Sequence, residues 1–175
     1  MQPFPTTLPE LKTRQFRLRS MSTNDKASLF AIYGDPEVMR FASDETFSTP
    51  ATVDEMLSSV SQLFQEQTSM EWGIERRTDH TLIGTCGLHS FDLTNNSAEV
   101  GCMLTRSAWG HGYMQEALRA VIWYAFCDRK ITRLRADIDT LNHRSIRLFS
   151  KLGFIHQGGT IYVCKPKCKP EGGDL

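Results

Sequence analysis

The chain has no surplus of charge: 20 Lys and Arg balance 20 Asp and Glu. A neutral chain gives no electrostatic case for nucleic acid or an anionic membrane as partner. No apolar run reaches the length needed to span a bilayer. The start, Met1-Gln-Pro-Phe-Pro-Thr-Thr-Leu-Pro9, has neither a cationic opening nor an apolar core, so no signal peptide is expected. Cysteines are few, odd in number and irregularly spaced (Cys86, Cys102, Cys127, Cys164, Cys168), which does not suggest a disulfide framework. Cys164 and Cys168 have no nearby Cys or His pair to complete a metal site, and no metal is expected. A reducing, cytoplasmic location is the simplest expectation. The basic cluster Lys165-Pro-Lys-Cys-Lys169 reads as a solvated tail.

What is present describes a globular α/β chain. Its 175 residues are 40% apolar and 23% charged, enough to bury a core in one domain spanning 1–175. Irregular tails are expected over 1–10 and 165–175. Phe16-Arg-Leu-Arg-Ser-Met21 alternates as a half-buried strand. Ser22-Thr-Asn-Asp25 offers a helix cap before Leu29, Ile32 and Tyr33, and Gly34-Asp-Pro36 stops that helix. Thr49 reads as a second cap, ahead of Met56, Val60, Leu63 and Phe64 at helical spacing. Strands are expected over 71–76, 82–91 and 98–104, with turns at Thr78-Asp-His80 and Thr94-Asn-Asn-Ser97. Met114, Ala117, Leu118, Val121, Ile122 and Ala125 mark the clearest helix. Leu134–Asp139 alternates again, Ser145–Leu152 forms a short helix, and Gly153 ends it in the left-handed conformation. Antiparallel hairpins followed by alternating helices and strands predict a central mixed sheet with helices on both faces.

One loop carries the chemical question. In Ser107-Ala-Trp-Gly-His-Gly-Tyr-Met-Gln-Glu-Ala-Leu118, two glycines stand between a strand and a helix. A helix start exposes unpaired N–H groups at the positive end of its dipole. Glycines let an anion reach the backbone there. Two familiar phosphate loops are excluded. Gln115 stands where a dinucleotide fingerprint needs its third glycine, and no Gly-Lys-Ser/Thr occurs. The residues alone leave two readings, a phosphate cradle or a plain turn that caps a helix.

Four segments together carry a family resemblance. Trp109-Gly-His-Gly-Tyr-Met114 followed by Gln-Glu-Ala-Leu118 resembles the acyl-CoA loop of the GNAT superfamily of N-acetyltransferases. Asp139-Thr-Leu-Asn-His-Arg-Ser-Ile-Arg-Leu-Phe-Ser-Lys-Leu-Gly-Phe154 resembles its second cofactor segment. Phe16-Arg-Leu-Arg19 and Gly34-Asp-Pro-Glu-Val-Met-Arg40 resemble the branch that acetylates N-terminal amines of ribosomal proteins. The likeness runs from about residue 10 to about 160, in the order and spacing of that superfamily. Trp109 replaces the usual Arg or Gln, and Met114 the usual Gly or Ala; the ribosomal-protein branch tolerates both.

The resemblance implies a GNAT fold whose sheet has a splayed pair of strands, and acetyl-CoA as cosubstrate. It implies that Cys102, Met103 and Leu104 pair with pantetheine, and that the N–H groups of Gly110, His111, Gly112, Tyr113, Met114 and Gln115 take the diphosphate. Asn142 would bond the pantetheine arm, and Ser145 would lie near the sulfur. Glu99, on the strand leading to the cofactor, is the candidate general base, and a backbone N–H near Met103 the oxyanion donor. Many relatives carry a Tyr acid seven residues after the Asn; here Phe149 stands there and has no proton to give. The thiolate then leaves unaided or takes a proton from Ser145 or water. His111 is expected to matter through its backbone. His89 either lines the acceptor site or is a structural strand residue, the second reading being the commoner. Trp72 and Phe91 either wall a substrate pocket or, as expected first, fill the core.

The expected activity is acetyl transfer from acetyl-CoA to a primary amine, with a protein or peptide N-terminus as the first acceptor choice. Small amines (a polyamine, amino acid or aminoglycoside) remain open, as does a non-catalytic CoA-binding sensor or an α/β domain that binds nothing. A monomer or homodimer is expected. After Thr160-Ile-Tyr-Val-Cys164 the chain turns to Lys, Pro and Gly, so the final strands are expected to be short or missing.

Overall fold

A computed structural model describes residues 1–166. Residues 167–175, with Cys168 and most of the basic tail, lie outside the described residues. Eight strands form one mixed sheet. They are β1 (Leu11–Lys12), β2 (Phe16–Arg19), β3 (Ser69–Arg76), β4 (Leu82–Asp92), β5 (Ser97–Leu104), β6 (Arg133–Asp137), β7 (Ile155–Gly158) and β8 (Ile161–Cys164). Their spatial order is β1-β2-β3-β4-β5-β6-β8-β7. Neighbours pair antiparallel except β5 and β6, which are parallel. A parallel pair needs a crossover. Helix α4 (Tyr113–Trp123) supplies it, running on into a π-helical stretch at Tyr124–Asp128.

The remaining helices are α1 (Lys26–Tyr33), α2 (Pro36–Met39), α3 (Ala51–Gln65) and α5 (His143–Lys151). Period two decides which strand residues face which layer. Met70, Trp72 and Ile74 of β3 share a face with Cys86 and Leu88 of β4. They form one core with Met114, Ala117, Leu118 and Val121, the apolar stripe of α4. On the other face Leu29 and Ile32 of α1 and Val53 of α3 make a second cluster with Leu82 and Met103. Helices therefore cover both faces, as the alternating pattern predicts.

Local chemistry sets the boundaries. Ser22 and Asp25 form a reciprocal capping box ahead of α1. Asp35, which ends the α1 segment, also caps α2 by accepting from Glu37 N at 2.9 Å. The cap position of α3 is Pro50, one residue after the expected Thr49. Gly153 takes φ +90° at the end of α5. Residues 1–10 contain no helix or strand, yet they are tied down. Trp72 Nε1 donates to Pro9 O at 2.7 Å, Arg129 donates to Pro3 O, and Phe4 packs against Phe64 and Phe91.

The final strands, expected to be short or missing, are short. Both are present, at four residues each, and β8 inserts against β6 with β7 outside it. All four β7 side chains are exposed. An edge strand without a buried face shows no apolar alternation, so only the resumption of extended chain at Phe154-Ile-His156 after Gly153 marked its start.

Candidate functional site

The parallel pair β5–β6 is joined at one end only. Ser97, Ala98 and Glu99 pair with Arg133, Leu134 and Arg135, and there the pairing stops. From Val100 to Leu104 the two strands part, and a cavity of about 340 Å³ fills the gap. Val100–Leu104 form one wall, and Asp137–Asp139, at the end of β6 and just after it, the opposite one. Asn142, Ser145, Leu148 and Phe149 of the α5 segment and Met114 of α4 line the cavity as well. Residues 40–44, after α2, line another side. Peptide groups on the parted edge of β5 have lost their strand neighbour, so an extended ligand with amide groups can take its place.

The two helix starts at the cavity are built differently. Asn142 caps α5, its Oδ1 accepting from Ser145 N at 3.1 Å. The cap uses the oxygen, so the Nδ2 hydrogens are the donors left for a ligand. Gly112 caps α4 with φ +77°, and Gly110 stands at φ +84°. Such values are costly for residues with a Cβ. A Cβ at either position would meet nothing within 4 Å, so both glycines face open space. The first N–H groups of α4 thus begin beside two glycines that face open space, which suits an anion. Glu116, in the same first turn, is occupied elsewhere. It accepts from Thr13 Oγ1 (2.7 Å), Gln15 N (2.8 Å) and Gln15 Nε2 (2.6 Å), fixing the start of α4 to the turn between β1 and β2. Burial works against its charge, but these donors outweigh it and hold its pKa below the ordinary value.

Trp109 turns into the cavity wall. Its Nε1 donates to Leu104 O at 2.8 Å, and the Arg144 guanidinium lies 3.4 Å from the indole ring centroid. The pair links the glycine loop to α5 beside the cavity. Sequence reasoning noticed the unusual Trp109 but not this bonding.

Of the residues picked from sequence, Cys102, Met103, Leu104, Met114, Asn142 and Ser145 line the one cavity. His111 and Tyr113 stack on each other at 5.2 Å and line a separate hollow of about 250 Å³ with Arg76, Thr105 and Ser107. Gln115 is half-buried in the first turn of α4. Glu99 lies on β5 just before the strands part, and its carboxylate is 2.6 Å from Arg135 Nη2. It is not among the cavity-lining residues. Burial pushes the Cys102 thiol up to about 12, with the Glu71 charge adding to the effect, so it stays a neutral wall residue at physiological pH. Phe149 packs edge-on to Phe154 at 5.0 Å and presents no polar atom. Among the described residues no group of three His, Cys, Asp or Glu is placed to hold a metal ion.

Sequence reasoning named His89 but not its partners. His89 lies between Ser69 and Glu71 of β3, 2.8 Å from Ser69 Oγ and 3.1 Å from Glu71 Oε2. Glycines 87 and 101, inside β4 and β5, were its trace, because glycine within a strand often marks a close approach.

Comparison with known proteins agrees with this architecture. The model of the acetyltransferase (GNAT) domain matches residues 15–155. The uncharacterized N-acetyltransferase YoaA of Bacillus subtilis is 32% identical over 150 residues, covering 86% of this chain and 85% of its own. Two solved structures share the fold at low identity. The ribosomal-protein-S5-alanine acetyltransferase of Vibrio fischeri has a TM-score of 0.78 at 16% identity, over 93% of this chain and 100% of that one. Mycobacterium smegmatis RimJ, solved with CoA-disulfide, has a TM-score of 0.79 at 16% identity, over 93% and 88%. The parted strands, the glycine-capped helix and these likenesses converge: this chain is an N-acetyltransferase of the GNAT family.

Proposed function

We propose that the protein transfers the acetyl group of acetyl-CoA to a primary amine, and that the acceptor is the N-terminal amine of a protein or peptide. One observation carries the reading. The cavity between the parted strands joins an unpaired strand edge, an Asn-capped helix start and the mouth beside Trp109. Acetyl-CoA, which the family uses, supplies an activated thioester. The residues fit it. The peptide groups of Cys102, Met103 and Leu104 suit the amides of its arm, and the N–H groups of Gly110–Gln115 suit its diphosphate. Asn142 Nδ2 donates to the arm, and the Ser145 hydroxyl serves the departing sulfur in place of the absent tyrosine. A backbone N–H near Met103 stabilises the developing oxyanion. The amine must be neutral to attack, and its proton goes to a base on the β4–β5 face, where Glu99 and His89 stand in register. Support for a protein N-terminus comes from the branch likeness of Phe16–Arg19 and Gly34–Arg40, and from neighbours in fold such as the S5-alanine acetyltransferase.

The test is a thiol-release panel that sets peptides with free N-termini against polyamines, amino acids and aminoglycosides. Peptides should give the higher kcat/KM. Turnover of small amines with none of peptides refutes the acceptor. No rise in melting temperature with acetyl-CoA refutes the cavity as its site.

A further inference from the structure

On the sheet face that carries α1 and α3, four polar side chains lie in register across four strands. Ser69 on β3 stands opposite His89 on β4, His89 opposite Glu99 on β5, and Glu99 beside Arg135 on β6. Two glycines make room for the row. A Cβ on Gly87 would collide with Glu71 Oε2 and would lie 2.7 Å from His89 Nε2. A Cβ on Gly101 would lie 3.7 Å from His89 Nε2 and Cδ2, with nothing closer. Gly101 lines the cavity. His89 is not itself a lining residue: its Nε2 edge stands against Gly101, whose backbone separates it from the cavity, and its side chain is 37% exposed. Nδ1 is held by Ser69 Oγ. Glu71 Oε2 is buried, has no other hydrogen-bond partner and lies 3.1 Å from Nε2, near enough to stabilise a proton there.

On the basis of the amine acetylation proposed above, we propose that His89 Nε2 takes the proton of the acceptor ammonium, positioned by Ser69, and that Glu71 holds the resulting imidazolium. The N–H bond breaks, its electron pair stays on the amine nitrogen, and the proton passes to Nε2. The nitrogen bonds to the acetyl carbon as the carbon–sulfur bond breaks. The second N–H proton ends on the thiolate through Ser145 or water, and His89 returns its own proton to solvent. Ammonium and acetyl thioester thus become amide, thiol and one released proton.

Charge placement favours His89 over Glu99 as the receiving atom. A proton on Glu99 weakens the 2.6 Å pair with Arg135, whereas a proton on His89 gains two carboxylates. The groups acting on the ring are Glu71 and Glu99. Arg135 lies behind Glu99, and Tyr33 of α1 lies toward Glu71. Burial disfavours the imidazolium, but Glu71 first and Glu99 second outweigh it, so the His89 pKa is held above its ordinary value. That brings it nearer to an N-terminal amine, whose pKa is about 8.

The experiment pairs an NMR titration of His89 in the free protein with the pH profile of kcat/KM for one acetylated peptide. Its acid limb reports the free-enzyme base. His89→Gln should lower kcat/KM about 100-fold or more and abolish that limb, with CoA affinity by calorimetry unchanged. Glu71→Gln should lower the NMR pKa and move the limb by the same amount, about one pH unit toward acid. Glu99→Gln should keep a limb. An unmoved His89 titration in Glu71→Gln, or a limb that survives His89→Gln but vanishes in Glu99→Gln, overturns the assignment. If the wild-type protein acetylates no amine, the reaction itself is wrong, while the titration still reports whether Glu71 and His89 are coupled.

Discussion

Replacing Gly112 with alanine separates the cost of a turn from the cost of a blocked anion site. Gly112 holds φ +77° at the cap of α4, and its missing Cβ would meet no protein atom within 4 Å. The folded protein therefore suffers backbone strain but no collision. The strain is about 1–2 kcal/mol, and the stiffer unfolded chain returns about 0.4–1. The net loss of roughly 1 kcal/mol lowers Tm by about 2–4 °C in a chain of this size. Binding should suffer separately, because the new methyl occupies the side from which a diphosphate reaches the first N–H groups of α4. A tenfold weaker Kd corresponds to about 1.4 kcal/mol. At a CoA concentration 100 times the wild-type Kd, the ligand stabilises wild type by about 2.7 kcal/mol. The same concentration stabilises a tenfold weaker variant by only about half of that. Thermal melts with and without CoA, checked by calorimetry, measure both quantities. A variant that melts a few degrees lower yet gains as much from CoA as wild type refutes the cradle at Gly112.

Three further expectations concern how the fold and the site are held. Glu116→Ala removes the acceptor of three donors at the α4 start and should cost about 1–2 kcal/mol by urea denaturation; an unchanged midpoint shows that water replaces the carboxylate. Glu116, Asp25 and Glu75 are all held below their ordinary pKa, since donors and Arg19 outweigh burial. Such groups give full stability above the unfolded carboxylate pKa of about 4, and it is lost as pH falls through their lower folded values. The urea midpoint should therefore hold from pH 7 to 5 and drop below 4, less steeply in Glu116→Ala; equal slopes contradict the linkage. Trp109→Phe keeps a ring for Arg144 but frees the Leu104 carbonyl, and should lower stability by about 1 kcal/mol in thermal melts. An unchanged Tm shows that Leu104 O finds another donor.

Local signals explain what was legible in the sequence. The stripe from Met114 to Val121 announced α4 because its apolar positions follow one helix face. Gly153 marked the end of α5 because its conformation is a property of one residue. The site divided along the same line. Cys102–Leu104, Met114, Asn142 and Ser145 belong to continuous segments, and all line the cavity. The Ser69–His89–Glu99–Arg135 row is spread over four strands and exists only through cross-strand register. No spacing along the chain encodes it, and only the two strand glycines hinted at it. The short α2 was hidden because Gly34-Asp-Pro36 reads as a stop, although Asp35 caps a new helix.

The parting of β5 and β6 also bears on colloidal behaviour. Sheet edges usually lie at the rim, where charge or proline discourages a foreign chain from adding itself as another strand. This protein has a second, internal edge at Val100–Leu104, and its side chains are Val, Cys, Met and Leu around one glycine. None of them carries a charge. An edge of this kind accepts any slender extended molecule with peptide-like groups, so acetyl-CoA seated there as proposed would double as a cover that keeps other chains from pairing.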